Sequence, residues 1–322
     1  MTDSFAKSYL LAMNLKVYAP DDFPSYLPKL NALYDDLFSH GKGFRAKLIQ
    51  RISAHLELKA DAVHLLAQTI EFIHNASLLH DDLIDRSPLR REKTAAWLKY
   101  TPEYAVLAGD YLLARVMLNL SRYGNLALIQ YTAEMISNLL EGEWIQDSLI
   151  EDWDVSLTQL DRVHDLKTAS LFKWCMRAPF IAAKNEGVEL HNTLDEMGSL
   201  LGLLFQRSDD LLDFDVRNYE GKAVMGDLTS GYMNSFATFL TRGMNEQRRT
   251  KFRECKTIGE IHQLIGEAEF FKFLEEFDEH NKKVIRLYDH HAENLLRLLP
   301  STAQGLVAEL KILPGVLYWR KA

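Results

Sequence analysis

The sequence predicts an all-α protein whose 322 residues form a single large helical bundle. Three observations carry this. Prolines cluster early (Pro20, Pro24, Pro28), around a basic connector (Pro88, Pro102) and late (Pro300, Pro314), with only Pro179 between Pro102 and Pro300. Long proline-poor spans with few glycines favour helices over a fold with many tight turns. Apolar residues recur at i, i+3 and i+4, as in Leu66, Thr69, Ile70 and Ile70, Ile73, Ser77, Leu78, whereas alternation is rare. Finally, the pattern Asp-Asp-x-x-Asp occurs twice, at Asp81, Asp82, Asp85 and at Asp209, Asp210, Asp213. The copies are 128 residues apart (209 − 81), which suggests equivalent helices in opposite halves of one bundle.

Taken in order, the N-terminal MTDSFAKSYLLAMNLKVYAP reads as an amphipathic helix, because Asp3 comes early and no small-residue cleavage site follows. Val106 to Leu120 and Leu194 to Leu212 are apolar on much of their circumference, the mark of helices buried in a large core. Loops are expected at Gly41–Gly43, Arg86–Pro102, Asp147–Asp154, Asn185–Asn192 and Asn218–Asn234. No solenoid repeat, low-complexity tract or linker divides the chain, so residues 1–322 are expected to form one domain. A net charge of −8 argues against a general nucleic-acid binder. Cys175 and Cys255 alone give neither a disulfide framework nor zinc spacing, which points to the reducing cytoplasm. No uncharged apolar run is long enough to span a membrane, although a product could still be membrane-bound.

On a helix the first and last Asp of each motif are i and i+4, so their carboxylates point the same way. Two such faces opposed across a cavity would repel when empty. They would hold Mg²⁺ well once a diphosphate supplies further oxygens, because Mg²⁺ takes octahedral oxygen and recruits substrate phosphates. A solvated acidic turn is the competing reading, and one such motif arises by chance in roughly one chain in ten. Two copies are much rarer, and both sit in apolar company: Ala76, Leu78, Leu79, Leu83, Ile84 and Leu203, Leu204, Phe205, Leu211, Leu212, Phe214.

Basic residues accompany the acids: Lys42 and Arg45 after Gly41, His74 two turns before Asp81, Arg90 and Arg91, Lys167, and Lys222. Each alone reads as a surface cation. Together with GKGFR, IHNASLLHDDLID, SPLRR, LAGDYLLA, GEWIQ, KTASLF, FQRSDDLLDF and the late Gly221, Lys222 and Asp227, they make the chain resemble the polyprenyl synthetase family from about Gly41 to Asp227. These are trans-prenyltransferases, medium- and long-chain types among them, that extend allylic diphosphates with isopentenyl diphosphate. The resemblance implies a bundle of isoprenoid synthase type around a central cavity, and Mg²⁺, three ions per site. It implies that Asp81, Asp85 and Asp209 bind the metal, supported by Asp82, Asp210 and Asp213. Arg90, Lys167 and Lys222 would contact the allylic diphosphate, with Gln206 beside the metal cluster. Lys42, Arg45, His74 and Arg91 would hold isopentenyl diphosphate. A helical homodimer is implied as well, in keeping with the apolar content of Val106–Leu120 and Leu139–Ile145.

Some positions depart from the family pattern. Tyr232 stands where a diphosphate-binding lysine is expected, and a neutral phenol donates a hydrogen bond without supplying a cation. Gly43 and Glu92 also replace a common basic residue and the usual glycine. Ahead of the first motif, Ser77 and Ala76 are small where an aromatic residue would stop chain growth early, and Ile73 and Ile70 lie one to two turns further down. A product longer than fifteen carbons is expected. A same-fold cyclase, or a non-catalytic subunit of a heteromeric synthase, are the alternative readings.

Overall fold

The computed structural model describes residues 17, 20–38, 43–90, 93–215 and 224–318. The N-terminal amphipathic segment and the candidate residues Lys42, Arg91 and Lys222 lie outside the described residues. The fold is all-α; among the described residues the exception is one antiparallel pair of two-residue strands. After a 3-10 turn at Pro20–Asp22, the helices are α1 (Pro28–Phe38), α2 (Phe44–His55) and α3 (Ala60–Ile84). The hairpin β1 (Leu89–Arg90) and β2 (Lys93–Thr94) leads into α4 (Ala96–Lys99), α5 (Pro102–Tyr123) and α6 (Leu126–Ser148). Then come α7 (Leu157–His164), a π-helical turn at Asp165–Ala169, α8 (Ser170–Ala182) and α9 (Val188–Leu212). The remainder is α10 (Gly226–Thr229), α11 (Ser235–Thr241), α12 (Glu246–Glu254), α13 (Ile258–Ile265), α14 (Glu267–Leu298), α15 (Gly305–Leu310) and α16 (Leu313–Tyr318), with a 3-10 turn at Ser301–Ala303.

Local chemistry sets these limits. Thr101 caps α5 by accepting from the Tyr104 amide, Pro102 fills the first helical position, and Gly124 ends the helix at φ 78°. Asn125 at once caps α6 through the Leu128 amide at 3.0 Å. Capping boxes start α7 at Ser156 and Gln159, and α13 at Thr257 and Glu260. Three expected loops prove more ordered than their composition suggested. Residues 86–102 hold the hairpin and α4, α9 begins inside 185–192, and α10 forms inside 218–234.

The chain divides into two compact units. The first comprises Met1–Ile136, Trp174–Asp195 and Leu299–Leu306, and the second Ser137–Lys173, Glu196–Leu298 and Val307–Ala322. In the first, α3 packs most extensively on α5, burying Leu66, Ile70, Ile73, Leu112, Val116 and Leu120. α5 is less enclosed than its composition predicted, since Val106, Leu107 and Leu118 remain exposed. In the second, Phe236 is the hub of an aromatic core, with ring centroids 5.1 Å from Phe214, 5.7 Å from Phe270 and 5.3 Å from Phe277. Phe214 follows Asp213, so this core anchors the end of the second acidic motif.

Asp22, only 2% exposed, ties the early turn of the first unit to α3 and α5. Its carboxylate accepts from Arg115 Nη2 at 2.7 Å, Arg115 Nε at 3.1 Å, Gln68 Nε2 at 2.7 Å and Asn119 Nδ2 at 3.3 Å, and its carbonyl from the Tyr111 hydroxyl at 3.0 Å. Breaking a buried ion pair by removing one partner costs about 3–5 kcal/mol, because the other charge stays buried. Asp22→Ala is therefore expected to lower the urea midpoint of the first unit's transition strongly, and Asp22→Asn less so; a midpoint within error of the parent would refute this network's role.

Candidate active site

In the first unit, the acidic motif closes α3. Asp85 is the cap residue, and its amide donates to the Asp81 carbonyl at 2.8 Å, so the i, i+4 relation holds to the last turn. Adjacent residues on a helix lie about 100° apart, and the two acids take different environments: Asp82 is 4% exposed, Asp81 half-buried and Asp85 exposed. Asp82 Oδ1 accepts from Arg90 Nε at 2.8 Å and also from Nη2. Arg90 stands on β1, so the hairpin is held against the motif by this pair, helped by the Ser87 amide on the Asp82 carbonyl at 2.9 Å. Trp97 Nε1 then donates to the Ser87 carbonyl at 2.8 Å.

Further back along α3, His74 is half-buried, and the Ser77 hydroxyl donates to its carbonyl at 2.9 Å. Ala76 and Ile73 are fully buried, whereas Ser77 is partly exposed. Arg45, at the start of α2, is close to Glu71 of α3: the Ala46 amide donates to Glu71 Oε1 at 3.3 Å, and Cys175 feels the charges of both Arg45 and Glu71. Burial is the main cause that pushes the Cys175 thiol up, so it is inert.

In the second unit, the acidic motif is not the copy of the first that its spacing suggests. α9 ends at Leu212, and Asp213 lies just beyond it, buried. Its Oδ1 accepts from the Gly226 amide at 2.7 Å, and its carbonyl from the Met225 amide at 2.8 Å. Asp213 thus fastens the turn before α10 instead of repeating Asp85. Asp209 is half-buried, while Asp210 is 1% exposed and fully engaged. Asp210 Oδ2 accepts from the Ser235 amide at 2.9 Å and from its hydroxyl; Oδ1 accepts from Gln206 Nε2 at 3.0 Å. The Thr168 hydroxyl donates to Gln206 Oε1 at 3.0 Å, which links Asp210 to the π turn.

That turn carries Lys167, which ion-pairs with Glu143 of α6. Two glycines let neighbouring backbone approach it, and a third does so at the start of α8. A Cβ at Gly142 would sit 2.8 Å from the Lys167 nitrogen, one at Gly202 would meet the Ala169 backbone, and one at Gly198 would lie 2.5 Å from Lys173 Cα. π turns cost hydrogen-bond geometry and cluster where a helix must redirect a side chain.

Electrostatics follow from burial. Burial raises the Asp210 carboxyl, the Ser235 and Gln206 hydrogen bonds partly offset this, and Asp209 raises it further. Burial, then Asp227, pushes Asp213 up to about 7. His164, with Nε2 4.0 Å from Asp210 Oδ2, is pushed down to about 4 by burial and is neutral. The Tyr232 phenol is raised well above its ordinary value by burial, then by the charges of Asp210, Asp227 and Glu143. Asn234 Nδ2 donates to Asp227 Oδ2 at 2.9 Å and caps α11.

Residues 27–265 match the family model described as polyprenyl synthetase. The chain belongs to the polyprenyl synthetase family. It is 32% identical to the decaprenyl-diphosphate synthase of Dictyostelium discoideum over 250 residues, 76% of this chain and 54% of that protein. It is 33% identical to the octaprenyl diphosphate synthase of Escherichia coli (strain K12) over 192 residues, 59% of each. The matched stretch thus spans little more than half of either relative. Among solved structures, the polyprenyl synthase of Caulobacter crescentus CB15, complexed with calcium and isoprenyl diphosphate, superposes with a TM-score of 0.73 at 24% identity, covering 100% of this chain and 94% of that one. The geranylgeranyl pyrophosphate synthetase of Pyrococcus horikoshii Ot3 gives 0.79 at 20% identity, covering 99% and 96%. These likenesses show the fold.

For a member of this family the donor set suits a hard divalent ion. Asp81, Asp85 and Asp209 offer accessible carboxylate oxygens, yet among the described residues no three His, Cys, Asp or Glu side chains gather into a ready-made cage. Carboxylate oxygen is the donor that hard divalent ions take. A cleft of about 850 Å³ in the first unit, lined by Tyr131, Arg177 and Lys184 among others, shares no residue with either motif. Sequence reading missed Glu143, His164 and Ser235. The glycines at 198 and 202, one turn apart on α9, were the available signal of a close approach; Ser235 had none.

Asp213 gives a pH test. Its folded value of about 7 exceeds the 3.8 of a free side chain, so between the two the folded state binds more protons. The associated stability is complete below the lower value and is lost as pH rises through the upper one. In EDTA, Asp213→Asn is expected to keep the Gly226 acceptor, flatten the pH slope of Tm between about 4 and 7, and melt higher than the parent at alkaline pH. Parallel Tm profiles for the two proteins would refute the assignment.

Proposed function

We propose that the protein is a Mg²⁺-dependent trans-prenyltransferase. It would condense isopentenyl diphosphate with an allylic diphosphate to a linear polyprenyl diphosphate longer than fifteen carbons. The observation that supports this best recurs in both motifs: a more exposed carboxylate, Asp81 or Asp209, next to a buried one, Asp82 or Asp210, that already accepts from protein donors. The more exposed carboxylates, with Asp85, would orient metal and substrate, while the buried ones hold the backbone still. Both clusters serve the same ionisation step, and residues 1–322 act as one isoprenyl diphosphate synthase domain.

The allylic C–O bond breaks, and its electron pair leaves with the diphosphate. Divalent ions supply the charge neutralisation that this departure requires. Arg90, Lys167 and, from the sequence, Lys222 orient the allylic diphosphate, with Gln206 steadied between Thr168 and Asp210. Lys42, Arg45, His74 and Arg91 hold isopentenyl diphosphate, whose double bond forms the new C–C bond to the allylic cation. A proton is then lost to the released diphosphate. Holding both reactants together supplies most of the entropic advantage, and the apolar surroundings keep water from the cation.

The exposed Leu107, Leu140 and Trp144 support a homodimer. No helix among the described residues is long and apolar enough to cross a membrane. The two free, buried thiols support action in the reducing cytoplasm, and the net charge of −8 a role without nucleic acid.

Pyrophosphate release by the protein alone, with Mg²⁺ and both substrates, tests the reading. Asp81→Ala and Asp209→Ala should each lower turnover by orders of magnitude with unchanged circular dichroism; near-parental rates would refute the metal roles. Release from the allylic substrate alone would indicate a cyclase, and no release at all a partner subunit.

Tyr232→Lys should leave activity equal or higher and tighten primer binding, since it sets a cation among Asp210, Asp227 and Glu143. A large loss would give the phenol a role of its own.

Product length is read by chromatography with excess isopentenyl diphosphate. The names of the octaprenyl and decaprenyl synthase relatives support growth past fifteen carbons. Because Ala76 is fully buried, Ala76→Phe overpacks at a cost of about 1–3 kcal/mol; Ser77→Phe, at a partly exposed site, is the safer variant. Both should shorten the product. A parent that stops at fifteen carbons would show the length assignment wrong.

A further inference from the structure

Gly109 lies in the interior of α5, where glycine is unfavourable, and it is buried against α3. A Cβ there would fall well inside van der Waals contact of His80 Nε2, 2.8 Å from Cδ2 and 2.9 Å from Cε1. The imidazole therefore rests edge-on against the Gly109 backbone. Its Nε2 lies 3.4 Å from the Val106 carbonyl and 3.5 Å from Asp110 Oδ1, both acceptors on α5. One ring is thus located by a steric seat and two acceptors, and the residue carrying it immediately precedes Asp81. The next acid, Asp82, is committed to Arg90. His80 on one side and Arg90 on the other leave the last turn of α3 little freedom to rotate.

We propose that His80 is a positioning residue for the first acidic motif: seated on Gly109 between the Val106 carbonyl and Asp110, it fixes the direction in which Asp81 and Asp85 present their carboxylates. The proposal rests on the reading of those acids as metal and diphosphate ligands. It gives the Gly109-Asp110 dipeptide a role, as the receptor for the histidine ahead of the motif. His80 itself touches no substrate in this scheme.

The seat and the ring can be altered separately. Gly109→Ala evicts the ring while adding only a methyl group. His80→Gln keeps an amide nitrogen at similar reach on a flexible stem that yields to that methyl. The readout is Mg²⁺-dependent binding of an unreactive allylic thiolodiphosphate, measured by calorimetry, with Tm in EDTA as the fold control. Groups that orient metal ligands contribute about 10–100-fold to metal affinity, so Gly109→Ala is expected to weaken Mg²⁺-dependent analogue binding by about 10-fold or more, beyond its effect on Tm. His80→Ala, which leaves the seat empty, is expected to weaken analogue binding by a similar factor, His80→Gln to restore most of it, and adding Gly109→Ala to His80→Ala to cost little more, since residues in direct contact are non-additive. Gly109→Ala or His80→Ala binding like the parent would overturn the proposal, as would an equal loss from Gly109→Ala with and without His80→Ala. A parent that binds no analogue in Mg²⁺ would instead refute the metal–diphosphate function, on which the positioning role depends.

Discussion

A carboxylate forced inward beside one that must stay reachable is the constraint on which this structure depends. Adjacent helical residues diverge by about 100°, so a pair such as Asp81-Asp82 or Asp209-Asp210 on a half-buried helix sends one acid toward the core. Burying an unpaired carboxylate is prohibitive, and even a paired one is stable only with its lone pairs filled. The protein meets this in two ways. Asp82 receives a cation, Arg90, supplied by a hairpin that exists between the motif and α5. Asp210 receives neutral donors, Ser235 and Gln206, and among the described residues the basic side chain beside it, His164 at 4.0 Å, is uncharged. The first solution pairs the acid with a cation; the second surrounds it with hydrogen-bond donors.

Much of this was legible in the sequence because it is periodic or punctuated. The helices around Leu66–Leu78 and Leu194–Leu212 follow from apolar spacing. Thr101, Pro102, Gly124 and Asn125 punctuate α5 and α6, and capping boxes start α7 and α13. The division between Asp81, Asp85 and Asp209 on one hand and Asp82, Asp210 and Asp213 on the other, drawn from family resemblance, coincides with the division between reachable and buried side chains. What spacing could not show was the fate of each motif's last acid. Asp85 and Asp213 both stand one residue past their helix, yet Asp85 is exposed, while Asp213 is buried next to Phe214 in the aromatic core and serves the amide of Gly226.

The π turn at Asp165–Ala169 was equally hidden. Its sequence, DLKTA, is an ordinary helical one. The irregularity is imposed by neighbours: Gly142 on α6, and Gly198 and Gly202 on α9, remove the side chains that would hold the π turn and the start of α8 at normal distance. An extra residue in the turn then aims Lys167 at Glu143 and Thr168 at Gln206. Tertiary contact, not local propensity, determines such a feature, and a single sequence carries it only as glycines without an evident turn.

The second motif's choice of neutral donors has a consequence for charge. Tyr232 feels Asp210, Asp227 and Glu143; Asp213 feels Asp227 and Asp210; Asp210 feels Asp209. Lys167 is paired with Glu143, while His164 is neutral and Tyr232 keeps its proton. A lysine at position 232 would neutralise part of this field, and the phenol does not. The phenol leaves the negative potential of Asp210, Asp227 and Glu143 intact; under the proposed function, it does so at the expense of one fixed positive contact to a diphosphate.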